Sequence, residues 1–369
     1  MSLLYLFVSL SVSFIVCLLL VRYASTHSHL TGDNDLNSAQ KFHDLPVPRV
    51  GGVALIMGLL TALPLINVIE GERTGQLTSY AVLALLPIFL GGLLEDVLKI
   101  GLIKTRLFAM VVGVGLMIWL LDWRVLRVDV RWLDSFLQWH WLSVTLTLFA
   151  VTGVINAVNL IDGYNGLASA VGMIILASLA YVGLKVGDRQ VMVLAITLLG
   201  ACAGFMFWNW PRGLIFLGDS GAYTIGFCIA SLAIALVMRN PQVSAWYALV
   251  LMLYPIVETV FTINRRLRRK DDPSLPDAAH LHQLIYKRMM RWAVGSVDIG
   301  DRKMRNSMTS PYLWLFSSLS VIPASIWWHD AFLLQVIAMM FVLGYLWLYR
   351  SITRFRTPKW LIVRRSIKR

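Results

Sequence analysis

Asn156-Ala157-Val158-Asn159-Leu160-Ile161-Asp162-Gly163-Tyr164-Asn165-Gly166-Leu167 joins two long apolar runs, 141–155 before it and 167–184 after it. If the first run is helical, Asn156, Asn159 and Asp162 step by three residues. Their side chains then lie within about a third of the circumference. Gly163 and Gly166 release the helix and let the backbone come close to a ligand. Oxygen-bearing groups at the end of a hydrophobic helix are costly unless something binds them. Two readings follow: a polar cap between two membrane spans, or a site for a hard cation and a phosphorylated ligand.

The surrounding composition decides the class. The chain has 369 residues, 58% of them apolar and 14% charged, and a mean hydropathy of +0.69. That excludes a soluble domain and predicts an all-α integral membrane protein. One crossing takes about 20 residues. Eleven runs qualify: 3–21, 51–69, 79–94, 107–121, 141–158, 167–184, 191–208, 222–238, 244–264, 312–328 and 331–349. The first lacks a basic flank and is too long for a signal-peptide core, so it is expected to remain as a span. No repeat or separate soluble domain stands out, and residues 1–369 read as one polytopic bundle. Cys17, Cys202 and Cys228 all fall inside apolar runs, which excludes a disulfide framework or a Cys-rich metal site.

The net charge of +13 invites a nucleic-acid reading, but the basic residues lie between spans. Of the 33 Lys and Arg, 26 fall in the segments 22–50, 95–106, 159–166, 209–221, 265–311 and 350–369, and 7 in the alternate segments. The positive-inside rule puts the first set in the cytoplasm, with the N-terminus outside and the C-terminus inside. Residues 265–311 become a large cytoplasmic loop and 350–369 a basic cytoplasmic tail. The lipid bilayer and phosphorylated substrates, not nucleic acid, are the expected partners. The sizeable outer segment, 122–140, alternates as Arg-Val-Leu-Arg-Val-Asp-Val and reads equally as a short strand or an interfacial stretch.

The polar motifs all fall in the first set, so separated segments are expected to meet at one membrane face. Pro46-Val47-Pro48-Arg49-Val50-Gly51-Gly52 offers a bend, a guanidinium and a helix start as an anion seat. In Gly91-Gly92-Leu93-Leu94-Glu95-Asp96 the adjacent carboxylates oppose each other's ionisation unless a cation intervenes; Lys99, Lys104 and Arg106 are nearby candidates. Asp219, flanked by glycine in Phe216-Leu217-Gly218-Asp219-Ser220-Gly221, presents a carboxylate suited to magnesium. Glu258 lies inside an apolar run and is expected to pair with one of Arg265, Arg266, Arg268 or Arg269. In Pro276-Asp277-Ala278-Ala279-His280-Leu281-His282, two histidines at i, i+2 diverge on a helix and make a poor zinc pair. They fit a basic loop over phosphates, or one lying on anionic lipid.

Taken together and in this order, the segments from Pro46 to Arg288 resemble the polyprenyl-phosphate N-acetylhexosamine-1-phosphate transferases of glycosyltransferase family 4. The resemblance implies a fold of about eleven transmembrane helices with cytoplasmic active-site loops, in a bacterial inner membrane. It implies transfer of a sugar-1-phosphate from a UDP-N-acetylhexosamine to polyprenyl phosphate, releasing UMP, to start a surface polymer such as lipopolysaccharide O antigen. Magnesium, or manganese in its place, is the implied cofactor, and a homodimer is compatible with it. By the same likeness Glu95, Asp96 and Asp162 are catalytic, and Asn159 and Asp219 hold the metal. Arg49, Arg106, Asn156, Asn165, His280 and His282 contact substrate. The acidic pair departs from the usual Asp-Asp, and Glu258 stands where Asp is usual, each with one more methylene of reach. His-x-His, without adjacent histidines, argues against the related phospho-MurNAc-pentapeptide transferase. An ion-coupled transporter is the alternative from another class. Acids at one face and the lack of a repeat count against it.

Overall fold

The computed structural model describes residues 2–26, 47–99, 101, 103–269, 279–290 and 299–356. Pro46, Pro276, Asp277 and the tail beyond 356 lie outside the described residues, as do 291–298 of the large loop. The helices are α1 (Ser2–Arg22), α2 (Gly51–Glu70), α3 (Glu72–Leu98), α4 (Ile103–Leu121), α5 (Arg131–Leu137), α6 (His140–Ile161) and α7 (Leu167–Val186). They continue with α8 (Arg189–Asn209), α9 (Gly218–Arg239), α10 (Ala245–Leu251), α11 (Leu253–Arg269), α12 (Leu281–Leu284), α13 (Ile299–Ile326) and α14 (Ala331–Thr353). A π-helical turn, Ile285–Met290, follows α12.

Among the described residues nine helices are long and apolar enough to cross a membrane. The protein is therefore an all-α polytopic membrane protein. The expected run 244–264 is one broken element: α10 and α11 meet at a 71° bend. Pro255, in the first turn of α11, has no N–H to continue the ladder back across the break. The expected run 312–328 is helical within α13, but its Ser, Trp, Tyr and Pro content leaves it outside the nine.

Small residues decide which helix is central. α9 packs against α2, α3, α6 and α7, and 89% of its apolar window is buried. A methyl on Gly226 would stand 2.7 Å from the Ile155 Cα, and one on Gly92 would stand 2.6 Å from the Ser220 backbone. Such contacts bring helix backbones together where lipid supplies no hydrophobic drive. Outward-facing Phe7, Trp119, Phe149 and Leu343 are exposed, as lipid-facing side chains must be.

Segment 122–140 is not a strand. Residues 122–130 form neither helix nor strand and lead into α5, with Asp122 and Asp129 at φ 51° and 56°. Arg127 donates to the Val237 carbonyl at 3.0 Å and to Asp129 at 2.7 Å, while Asp129 accepts from the Ser244 hydroxyl and the Ala245 N–H, each at 2.6 Å. The polar members of the alternation clamp this strap to the ends of α9 and α10. Exposed Trp132, Trp139 and Trp141 stand beside it, where amphipathic rings mark a membrane–water boundary.

Candidate active site

The site is built on the first turn of α9. Its N-terminal N–H groups have no partner within the helix, and Asp96, from the last turns of α3, supplies one. The Asp219 N–H donates to Asp96 Oδ1 at 2.8 Å; the Ser220 N–H and hydroxyl donate to Oδ2 at 3.0 and 2.7 Å. Gly218 sits at φ 75°, and a methyl there would stand 2.6 Å from Asp96 Oδ2. Asp96 is thus a buried helix cap joining two distant segments.

Asp219 points the other way, with 19% of its side chain exposed. Arg49 lies between the two acids, its Nε 3.7 Å from Asp96 Oδ1 and an Nη 3.4 Å from both Asp219 oxygens. α6 runs antiparallel to α9, so the Ile155–Gly226 contact fixes their register. One turn further toward the α9 start, Asn159 comes level with Ala222, and Asp162 comes level with Asp219. Asp162 is half-buried and lies in the field of Arg49, Asp219 and Asp96.

Glu95, about 100° around α3 from Asp96, reaches a different neighbour. The Tyr223 hydroxyl donates to Glu95 Oε2 at 2.6 Å, and Arg106 donates to that hydroxyl at 3.4 Å. Asn156 is turned aside: its amide donates to the Thr152 carbonyl of its own helix at 2.8 Å and meets the Met110 sulfur at 3.5 Å. Asn165 holds the motif loop in place. Its N–H donates to Asn306 Oδ1 at 3.0 Å, its amide donates to the Pro211 carbonyl at 3.3 Å, and Ser310 donates to its carbonyl at 2.6 Å.

The histidine element differs from the sequence expectation. Among the described residues Glu258 pairs with no arginine. It accepts from the Leu281 N–H at 3.0 Å and the Tyr345 hydroxyl at 2.9 Å, and it meets His280 Nδ1 at 3.2 Å. Arg265 instead donates to the Tyr349 hydroxyl and the Ala279 carbonyl. The two imidazoles do not diverge, because His280 is an extended N-cap and only His282 is helical. Their rings stack at 5.2 Å and 12°. Nor is this a solvated loop, since residues 280–285 are buried. His282 packs on the Tyr164 ring at 5.5 Å, with its Nε2 over Gly163. Burial depresses its pKa to about 3, so it is a neutral hydrogen-bonding ring and not a cation.

Arg49, Glu95, Asp96, Arg106, Asp162 and Asp219 therefore share one centre, which His282 borders through Gly163. Residues 78–237 match the model of "Glycosyl transferase family 4", taking in both members of the acidic pair, the Asn156–Leu167 motif and the Asp219 turn. The chain carries a glycosyl transferase family 4 domain. A Bacillus subtilis "Probable undecaprenyl-phosphate N-acetylglucosaminyl 1-phosphate transferase" is 28% identical over 75% of this chain and 76% of its own length. A Thermotoga maritima "Undecaprenyl-phosphate alpha-N-acetylglucosaminyl 1-phosphate transferase" is 26% identical over 84% of this chain and 91% of its own. A Moorella thermoacetica "Phospho-N-acetylmuramoyl-pentapeptide-transferase" is 30% identical over 51% of this chain and 60% of its own.

Within the family 4 domain, Tyr223 is a site residue that the motifs do not single out, although it stands four residues after Asp219, on the same helix face. Asn306 and Arg305 lie beyond the domain, on a helix with no local spacing signal. The donors left for a cation are the Asp219 and Asp162 carboxylates and the Asn159 amide. Among the described residues the last two form no side-chain hydrogen bond. No three of His, Cys, Asp or Glu among the described residues are placed so that they alone could hold a metal ion. Magnesium fits so sparse a set, because it keeps water and substrate phosphate in its shell.

Asp162 carries a pH signature. Burial raises its carboxyl from 3.8 to about 7, against the pull of Arg49 and with the push of Asp219 and Asp96. Between those values the folded protein binds more protons than the unfolded chain, so stability falls as pH rises through the window. Melting of chelator-treated protein in detergent should show this slope from about pH 4 to 7, and Asp162→Asn should make it shallower. Equal slopes in both proteins would remove Asp162 as a contributor.

Proposed function

We propose that this protein transfers an N-acetylhexosamine-1-phosphate from a UDP-sugar to polyprenyl phosphate, releasing UMP, as the initiating step of a bacterial cell-surface polysaccharide. The observation that carries the reading is the pairing of two carboxylates with Arg49 at a helix start, at one end of the bundle. An apolar groove supports it. A cavity of about 760 Å³ between α6, α9, α10, α11 and the 125–137 strap, with Leu146, Val151, Val154, Ala233, Met252 and Ile256 in its lining, suits a polyprenyl chain. The basic bias of the connecting segments supports a cytoplasmic active face, in an inner membrane, with the N-terminus outside.

An oxygen of the acceptor phosphate attacks the sugar-bearing phosphorus of the donor. The bond from that phosphorus to the bridging oxygen breaks, and UMP leaves with the electron pair. A phosphate monoester has a second pKa near 6, so at pH 7 the acceptor is already mostly the dianion and needs little general-base help. Two anions must approach, and Arg49 and Arg106 offset their repulsion. Asn159, Asp162 and Asp219 are the residues that would hold magnesium, which when bound neutralises phosphate charge and orients the diphosphate. Glu95 and Asp96 position this centre through Tyr223 and the α9 start.

The test is transfer of labelled sugar phosphate from a panel of UDP-aminosugars, UDP-MurNAc-pentapeptide included, to undecaprenyl phosphate, with and without magnesium. Product from a UDP-N-acetylhexosamine is expected. Product from the pentapeptide donor alone would move the protein to the activity named for the Moorella relative. No lipid-linked product from any donor would reject the reading.

A further inference from the structure

Next to Gly163 the Tyr164, His282, Tyr286 and Arg305 side chains cluster, and the chemistry above assigns Arg305 no role. Arg305, on α13, is 7% exposed, and its Nε is buried without a partner. Among the described residues it pairs with no carboxylate and donates no hydrogen bond. Its guanidinium stands 4.9 Å from the centre of the Tyr286 ring, and its charge reaches the Tyr164 phenol. Tyr164 packs on Tyr286 at 5.4 Å and on His282 at 5.5 Å, and the His282 Nδ1 is also buried without a partner. The position is rigid. The adjacent Asn306 accepts the Asn165 N–H at 3.0 Å, which locks α13 to the motif loop.

Two buried carboxylates are treated differently. Asp96 and Glu258 each receive a full set of donors. A contact with a ring face does not replace the hydration that a buried guanidinium gives up. The planar fork of an arginine matches the oxygens of a phosphoryl group. We propose that Arg305 is a substrate-binding residue that receives a phosphoryl oxygen of a ligand seated against the 163–166 loop. This rests on the transferase reading, in which both substrates carry phosphoryl groups, the diphosphate of the donor and the monophosphate of the acceptor.

The experiment compares full-length wild type, Arg305→Met and Arg305→Lys in detergent, by melting temperature with UDP or undecaprenyl phosphate as separate probes. Without ligand, Arg305→Met should melt no lower than wild type, because an unanswered buried charge has been removed. With ligand it should bind one probe roughly 10- to 100-fold more weakly, and Arg305→Lys should fall between. Loss confined to UDP assigns the oxygen to the donor; loss confined to undecaprenyl phosphate assigns it to the acceptor. A clear fall in ligand-free melting for Arg305→Met would make the residue structural and overturn the proposal. Wild-type binding of both probes by both variants would overturn it alone. A wild type that responds to neither probe would reject the transferase reading and this proposal with it.

Discussion

Asp219→Asn should reduce magnesium-dependent turnover by roughly 10²- to 10³-fold while leaving the protein folded. The fold survives because the residue contributes to structure through its backbone. Its N–H caps onto Asp96, and among the described residues its carboxylate bonds to Arg49 alone, at 3.4 Å. An amide is isosteric at that position but a poorer ligand for a hard cation. It also no longer balances Arg49, so the loss should appear mainly in kcat and in the magnesium concentration needed for half-maximal rate. The measurement is a magnesium titration of initial rate beside a melting curve. A wild-type rate at low magnesium would remove Asp219 from the metal set. A collapsed melting curve would make it structural.

Asp96→Ala should fail for a different reason. It removes the acceptor of two backbone N–H groups and one hydroxyl at a buried helix start. Each orphaned donor costs about 1–3 kcal/mol, so the loss should be about 3 kcal/mol or more and activity should disappear with it. Glu95→Gln keeps an acceptor for the Tyr223 hydroxyl and should melt like wild type, with a smaller loss of rate. Asp96→Asn separates the two roles: it keeps one acceptor oxygen but presents an NH₂ to donors that already point inward. Lower melting and lower activity together are expected. Unchanged melting with no activity would transfer Asp96 from helix cap to chemistry, facing the acceptor phosphate.

These two acids illustrate how much of the site is legible in the chain. Glu95 and Asp96 are adjacent and look interchangeable, and the residue type usual in the family favours Asp96 for chemistry. Only the packing of α3 on α9 shows that Asp96 receives three donors while Glu95 meets Tyr223 and Arg106. Glu258 is a sharper case. A cluster of arginines two turns away along the helix is the obvious partner, yet the carboxylate lies on the face toward α12 and α14 and anchors the histidine element.

Local chemistry, by itself, determined the membrane class, the position of most helices and the identity of the polar segments. Apolar length, glycine and proline punctuation and charge asymmetry are properties of neighbouring residues, and the bilayer reads them directly. The motif loop after Asn159 likewise ends its helix where the sequence says, because Asp162 and Gly163 stop it locally. Tertiary structure alone decided which polar groups are already answered. Asp96 and Asn165 are taken up by partners more than 100 residues away, Asp162 and Asp219 are left facing the centre, and Arg305 is buried beside Tyr286 with no carboxylate partner among the described residues. A side chain's residual capacity to bind depends on what surrounds it in space, and helices with interchangeable apolar faces do not encode their neighbours in local spacing.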